Sequence, residues 1–285
     1  MEAVSGWTRD TWAGSPATGG YSGNATAHGN KCTLRQLAQD ITGNPGDDWL
    51  WRNANPGITS DPKTTGVPNN TTVDISPLLA KLEKTMRSNV AAAASAKKFA
   101  RFPVGTESWS DGTDMDEAAV NEVFTSGNQA IDCFGMAQVI MARGLIKTLQ
   151  PGEFDALFID TDGMPIVSST VTLDNTKLGD WLYFKNDPGY VTGDPPTPRG
   201  PNQGENVIEC IQSPVPSANS YMGWTRRNTK HNYDWWCQEL VDAYNNDPPP
   251  PTVKITSVPG YTGKAKFLDV AAVAQAIFDD RAATH

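Results

Sequence analysis

Residues 132–146, DCFGMAQVIMARGLI, carry the clearest helical period in the chain. Ala137, Ile140, Met141, Gly144 and Leu145 recur at three- and four-residue spacing, which puts them on one helix face and predicts that this face is buried. The period begins at Cys133, so the same stretch predicts a thiol at a helix N-terminus. After it the pattern changes. ALFIDTD (156–162), MPIVSSTVTL (164–173), DWLYFKN (180–186), ENVIECIQ (205–212) and VKITSV (253–258) are short, rich in β-branched and aromatic residues, and read as strands. A Pro/Gly-rich loop over 188–204 interrupts them.

Upstream, Ser76-Pro77 supplies an N-cap and a proline at the first helical position of a helix running to about Phe99. Residues 116–127 read as another helix, closed by Gly127. Downstream, 233–245 and 267–281 read as helices on either side of the Pro248–Pro251 run. Helices followed by mostly sequential strands predict an α+β fold rather than a doubly wound sheet.

The first 29 residues are rich in Gly, Ser, Thr and Ala, show little periodicity, and read as a flexible leader. Next, Leu34, Leu37, Ala38 and Ile41 form a helical stripe, Gly43 to Gly46 makes a turn, and Trp49, Leu50 and Trp51 lie on a second short helix. Residues 58–72 read as a linker. The expected organisation is therefore a leader (1–29), a small module with its linker (30–72) and a main domain (73–285).

The formal net charge of -9 and the absence of a basic cluster exclude the electrostatic footprint of a nucleic-acid binder. No apolar run approaches the ~20 residues that span a bilayer, so no membrane partner is expected. MEAVSGWTRD lacks the basic and apolar regions of a secretory signal. The expectation is cytoplasmic synthesis, with the cell surface and signal-less export left open.

The four cysteines form no CxxC pair and read neither as a zinc site nor as a dense disulfide framework. Cys210 and Cys237 read as buried small hydrophobes, and Cys32 would pair only in oxidising surroundings. Asp111, Asp114, Asp116 and Glu117 miss the spacing of a calcium loop and read as a solvated loop and helix N-terminus. A cysteine at a helix N-terminus meets unpaired N–H groups and the positive end of the dipole, which favour a thiolate and can bind an oxyanion. A structural cysteine is at least as common there. Glu205 opens a strand just after the long loop; it is suited to act as a base or to orient a nucleophile, though spacing alone favours a solvated edge residue.

From about Lys84 to Phe278 the chain resembles the protein-glutamine gamma-glutamyltransferases of spore-forming bacilli. The pieces that carry the resemblance are NVAAAASAKKFARF, IDCFGMAQVI, GEFDALF, GDWLYFKN, QGENVI and FLDVAAVAQAIF, in the family's order, with GDWLYFKN followed by QGENVI the most specific. The resemblance implies an α+β fold related to papain-like cysteine hydrolases. It also implies acyl transfer from a glutamine carboxamide to a lysine amine, protein substrates carrying those residues, and no metal or other cofactor. It maps the nucleophile to Cys133, the catalytic glutamate to Glu205, and the acidic position before the nucleophile, usually glutamate, to Asp132. The family histidine falls on Trp224, which can neither carry a proton nor accept a hydrogen bond. Three readings follow: Cys133 and Glu205 suffice, His231 in RRNTKHNY stands in, or activity has been lost. Trp181, Trp224, Trp235 and Trp236 either line a hydrophobic tunnel that favours the amine over water or belong to the core.

Residues 30–60 or so resemble the LysM module, a βααβ glycan-binding domain, without its usual Pro-Gly-Asp turn or a clear first strand. That resemblance implies peptidoglycan or chitin as a partner; the alternative is a helical hairpin packed on the main domain. The functions in contention are a transglutaminase, for which family analogy adds a spore-coat setting, a thiol deamidase or cell-wall peptidase, and an inactive scaffold serving as a glycan- or protein-binding module.

Overall fold

The computed structural model describes residues 7–15, 20–28, 32–50, 54–58, 66–96, 116–126, 132–159, 163–192, 197–198, 203–223, 229–249 and 251–284. In chain order the elements begin with β1 (Trp7–Arg9), β2 (Ala13–Ser15), β3 (Gly20–Ser22), β4 (Asn24–Ala27), α1 (Leu34–Thr42), a 3-10 helix (Pro45–Leu50), β5 (Thr72–Asp74) and α2 (Ser76–Ala96). They continue with α3 (Glu117–Ser126), α4 (Cys133–Ile146), β6 (Ile166–Thr170), β7 (Trp181–Lys185), β8 (Val191–Thr192), β9 (Thr197–Pro198), β10 (Gly204–Ile211) and β11 (Ser220–Met222). The last three are α5 (Tyr233–Asn246), β12 (Gly260–Leu268) and α6 (Val270–Thr284). The architecture is α+β. Among the described residues no helix is long and apolar enough to cross a membrane.

The chain forms two compact, interleaved units. The first comprises Met1–Met86, Thr148–Ile166 and Leu268–His285, the second Arg87–Lys147 and Val167–Phe267. These limits do not follow the breaks at 29/30 and 72/73 suggested by composition.

In the first unit, β4 lies between β1 and β5, antiparallel to both. β2 and β3 form a separate antiparallel pair. Of the stretch that composition presents as a flexible leader, the described residues are largely strand. Its strands are only three or four residues long, too short for a period to show, and they are fixed by distant partners and two buried indoles. Trp7 and Trp12 are buried; Trp12 donates its Nε1–H to the Asn24 carbonyl and meets the Phe278 ring edge-on at 5.3 Å. α1 starts at Thr33, whose hydroxyl accepts the Gln36 N–H, and stops at Gly43, in the left-handed region at φ 72. Its stripe of Leu34, Leu37, Ala38 and Ile41 is buried, and α6 packs against it. Arg281 of α6 is buried, paired in a bidentate way with Glu153 at 2.6 and 2.8 Å, and donates to the Gln39 carbonyl.

The second unit is built on an antiparallel sheet in the order β11-β10-β7-β12-β6, in which β7 pairs with both β10 and β12. β10 is buried along seven of its eight residues. α4 packs on β10, and α2 crosses α4 closely, because a Cβ on Gly144 would stand 2.3 Å from Val90 Cγ2. Behind β7, Phe184 is ringed edge-on by Tyr221, Tyr233 and Tyr261.

Among the described residues two expected strands do not form. Asp155 and residues 156–159 of ALFIDTD make a turn of π-helix, and 253–258 has no regular structure. Short apolar runs do not separate strand from helix by period, and VKITSV is hemmed between prolines. The strand beside β7 is instead β12, whose Gly, Lys and Thr content conceals it.

Candidate active site

α4 begins at Cys133 because Asp132 caps it: the Asp132 backbone is extended and its Oδ1 accepts the Gly135 N–H at 2.6 Å. Its carbonyl takes the Met136 N–H. The N–H groups of Cys133 and Phe134, in the first turn, have no acceptor inside the helix. The helix is apolar nearly all round, with Gly135 to Ala137 and Val139 to Ala142 buried, so the half-buried Cys133 is held at the rim of a closed core.

The group that touches Cys133 is Asn206, from β10. Its Nδ2 lies 3.2 Å from Cys133 Sγ, and its Oδ1 accepts the indole N–H of Trp181 at 2.7 Å. The sheet register explains the meeting. Asn206 pairs with Tyr183 and Glu205 with Phe184, and successive strand residues face opposite sides. Asn206 therefore shares the α4 face with Trp181 and Tyr183, while Glu205 departs toward the face of Phe184. Gly204 before it has a steric reason, since a Cβ there would collide with the Tyr183 hydroxyl at 2.1 Å. Trp181 is buried, meets Phe134 edge-on at 5.0 Å, and carries the Lys266 ammonium 4.2 Å above its ring. Lys266 Nζ is also 4.8 Å from the Phe134 ring, and its pKa is lowered by desolvation.

Electrostatically the thiol is not preformed as a thiolate. Burial, followed by the negative charge of Glu205, pushes Cys133 up to about 12; the Asn206 side chain and backbone oppose this, and Asp132 adds a smaller push upward. The helix N-terminus alone would work in the other direction. At neutral pH the thiol therefore keeps its proton, and Glu205, itself buried, is the acidic group whose charge bears on it most.

His231 lies elsewhere along the sheet. It forms a β-bridge with Tyr221, stacks on Trp235 with ring centroids 3.5 Å apart, meets Trp236 edge-on, and has its Nε2 2.5 Å from the Thr229 hydroxyl. Trp236 is buried. Trp224, Asp111 and Asp114 lie outside the described residues, as does His285. Asp116 accepts the Ala119 N–H at the start of α3. No disulfide joins the four cysteines; Cys32 and Cys210 are buried, whereas Cys237 is partly exposed beside Tyr233 and Gly260. Among the described residues no group of three His, Cys, Asp or Glu side chains is set to hold a metal ion.

Asn206 was not singled out as a site residue by sequence, and Trp181 entered only as one of four tunnel or core tryptophans. The signal that could have found them is period two: with a strand over 204–208, only one of Glu205 and Asn206 can face a given helix.

No family model matches the chain, and no curated protein matches it. Among solved structures it is similar to a transglutaminase from Geobacillus stearothermophilus (without C-terminal extension), at 20% identity and a TM-score of 0.49, over 69% of this chain and 96% of that one.

Proposed function

We propose that the protein is a cysteine-dependent acyltransferase that joins protein glutamine to lysine. The observation that supports this reading is the convergence on one thiol of three sequence pieces far apart in the chain. IDCFGMAQVI brings Cys133 at a helix start, GDWLYFKN brings Trp181, and QGENVI brings Glu205 and Asn206. A nucleophile at the start of a helix packed on an antiparallel sheet also suits a papain-like frame.

The chemistry follows. Cys133 sulfur bonds to the glutamine carbonyl carbon, the C–N bond breaks, and ammonia leaves with the former thiol proton. Glu205, whose charge bears on the thiol although the register turns it to the other face, is the group proposed to carry that proton around the start of the strand. A lysine amine then bonds to the thioester carbon, the C–S bond breaks, and the amine's surplus proton returns to the sulfur. Water in place of the amine gives deamidation. The test is thiol-dependent incorporation of a fluorescent primary amine into casein by wild type, Cys133→Ala, Glu205→Gln and His231→Ala. Incorporation by wild type that vanishes in the first two is expected; loss in His231→Ala would give that imidazole a share. Cys133-dependent ammonia release without incorporation moves the reading to a deamidase. Neither signal removes the transferase reading and leaves a peptidase or an inactive scaffold.

A second reading concerns the first unit. Among the described residues β4, α1, the 3-10 helix and β5 run strand–helix–helix–strand with the outer strands paired antiparallel, an order that supports a LysM-like reading. We propose that this segment binds peptidoglycan or chitin. Because α6 packs on α1 within this unit, removing residues 1–72 would strip its core, so the full chain is used. Co-sedimentation with either insoluble glycan is expected, and its absence with both sinks the idea.

A further inference from the structure

Asn206 does more than fill space beside the nucleophile. An indole N–H can only donate, so the Asn206 atom facing Trp181 Nε1 has to be the carbonyl oxygen. That fixes the amide: the NH2 end, and no other, faces Cys133 Sγ at 3.2 Å. Trp181 is itself immobilised, 3% exposed, against the edge of Phe134 and beneath the Lys266 ammonium. A cation over an indole face draws density from the ring and makes its N–H the better donor. The result is a side-chain donor aimed at the sulfur and locked in place before any substrate arrives.

We infer that Asn206 is the side-chain donor of an oxyanion hole for acyl transfer at Cys133, completing the N–H groups of Cys133 and Phe134, and that Trp181 is the positioning residue that fixes its orientation. The inference rests on the reading of Cys133 as an acyl-accepting nucleophile. When the sulfur bonds to a carbonyl carbon, the carbonyl π pair moves onto oxygen. That oxygen is then two bonds from the sulfur, within reach of donors that ring it. Donors already in place cost no reorganisation as the charge develops.

The experiment compares two reactions of the same thiol in the full chain. p-Nitrophenyl acetate acylates Cys133 through a tetrahedral oxyanion, with sulfur bonding to the acetyl carbon and p-nitrophenolate leaving. Iodoacetamide alkylates it by displacement of iodide, with no oxyanion. Cys133→Ala supplies the background from the other three cysteines. For Asn206→Ala, alkylation slows because the amide no longer helps hold the thiolate, and acylation falls by about 100-fold more than alkylation does, the scale of losing one oxyanion-hole donor. Trp181→Phe, which keeps the ring and removes the N–H, shows the same selective loss to a smaller degree. Parallel falls in both reactions would reassign Asn206 to thiol activation or packing, and unchanged acylation in Asn206→Ala would overturn the inference outright. A wild-type Cys133 that alkylates but is not acylated also overturns it. A wild type that takes the ester with this Asn206 dependence but never transfers from glutamine leaves the inference standing and removes only the transglutaminase reading.

Discussion

β10 carries two buried glutamates four residues apart, and they do opposite things. At one end Glu205 lies where its charge acts on Cys133, a half-buried thiol beside Asn206. At the other, Glu209 is fully enclosed, with Asn219 donating to its Oε1 at 3.1 Å and the Arg87–Asp180 pair nearby. Burial, far more than neighbouring charge, pushes Glu209 up to about 7. Asp180 is raised by the same cause and restrained by the Arg87 guanidinium, 2.5 Å away. Perturbed acidity therefore marks the thiol beside one end of the strand and the glutamate at the other. Only one end adjoins a thiol, where the proposed chemistry would use it; the other end stakes the stability of the sheet on a few polar contacts.

The contrast is broken most strongly by Glu205→Gln. Amine incorporation is expected to fall by roughly 10²- to 10⁴-fold, the range for loss of a general acid–base group. Alkylation of Cys133 by iodoacetamide at pH 7.5 should instead accelerate, since removing the negative charge lets the thiol pKa come down. A slower alkylation would mean that Glu205 does not act on Cys133 through its charge.

At the sealed end, Arg87→Met leaves Asp180 buried without its cation. Urea unfolding at pH 8 should show a loss of about 3–5 kcal/mol, the cost of breaking a buried pair from one side. The loss should shrink toward pH 5 as Asp180 takes up a proton.

Glu209→Gln sharpens the comparison through pH. The folded pKa, about 7, is above the ordinary 4.5, so between these values the folded chain holds a proton that the unfolded chain has released. Glu209's contribution is thus present below pH 4.5 and lost as pH rises through 7. The loss is on the order of 3 kcal/mol at about 1.4 kcal/mol per unit. The glutamine variant lacks this slope, so its urea midpoint should exceed that of wild type more at pH 8 than at pH 5. Parallel curves would show that Glu209 titrates normally.

The smallest effect is expected from Asp132→Ala. Loss of the cap should cost about 1 kcal/mol in unfolding free energy. Cys133 alkylation should quicken less than in Glu205→Gln, because Asp132 is the weaker of the two charges raising that thiol. Equal acceleration would abolish that ranking, and a greater one would reverse it.

Much of the α4 end was legible before any fold was known. A cysteine and an apolar helical period are local, and local patterns survive in a single sequence; that Asp132 caps this helix is a finding of the structure. The helix over 233–246 was legible for the same reason. The short strands of the first unit were not, because three residues carry no period and their partners are distant: Thr26 meets Thr72, 46 positions away. β12 was missed because its polar residues mask a strand that β7 stabilises from outside.

By itself the sequence determined the α+β class, the thiol at a helix start and the carboxylate that opens β10. Only the tertiary structure decided which neighbour of that carboxylate reaches the thiol. Cys133 and Asn206 are 73 positions apart, and the face that each strand residue presents depends on a register set by β7 and by the helix packed above it. A one-residue slip would exchange Glu205 and Asn206 between faces, and nothing within either segment alone forbids that slip.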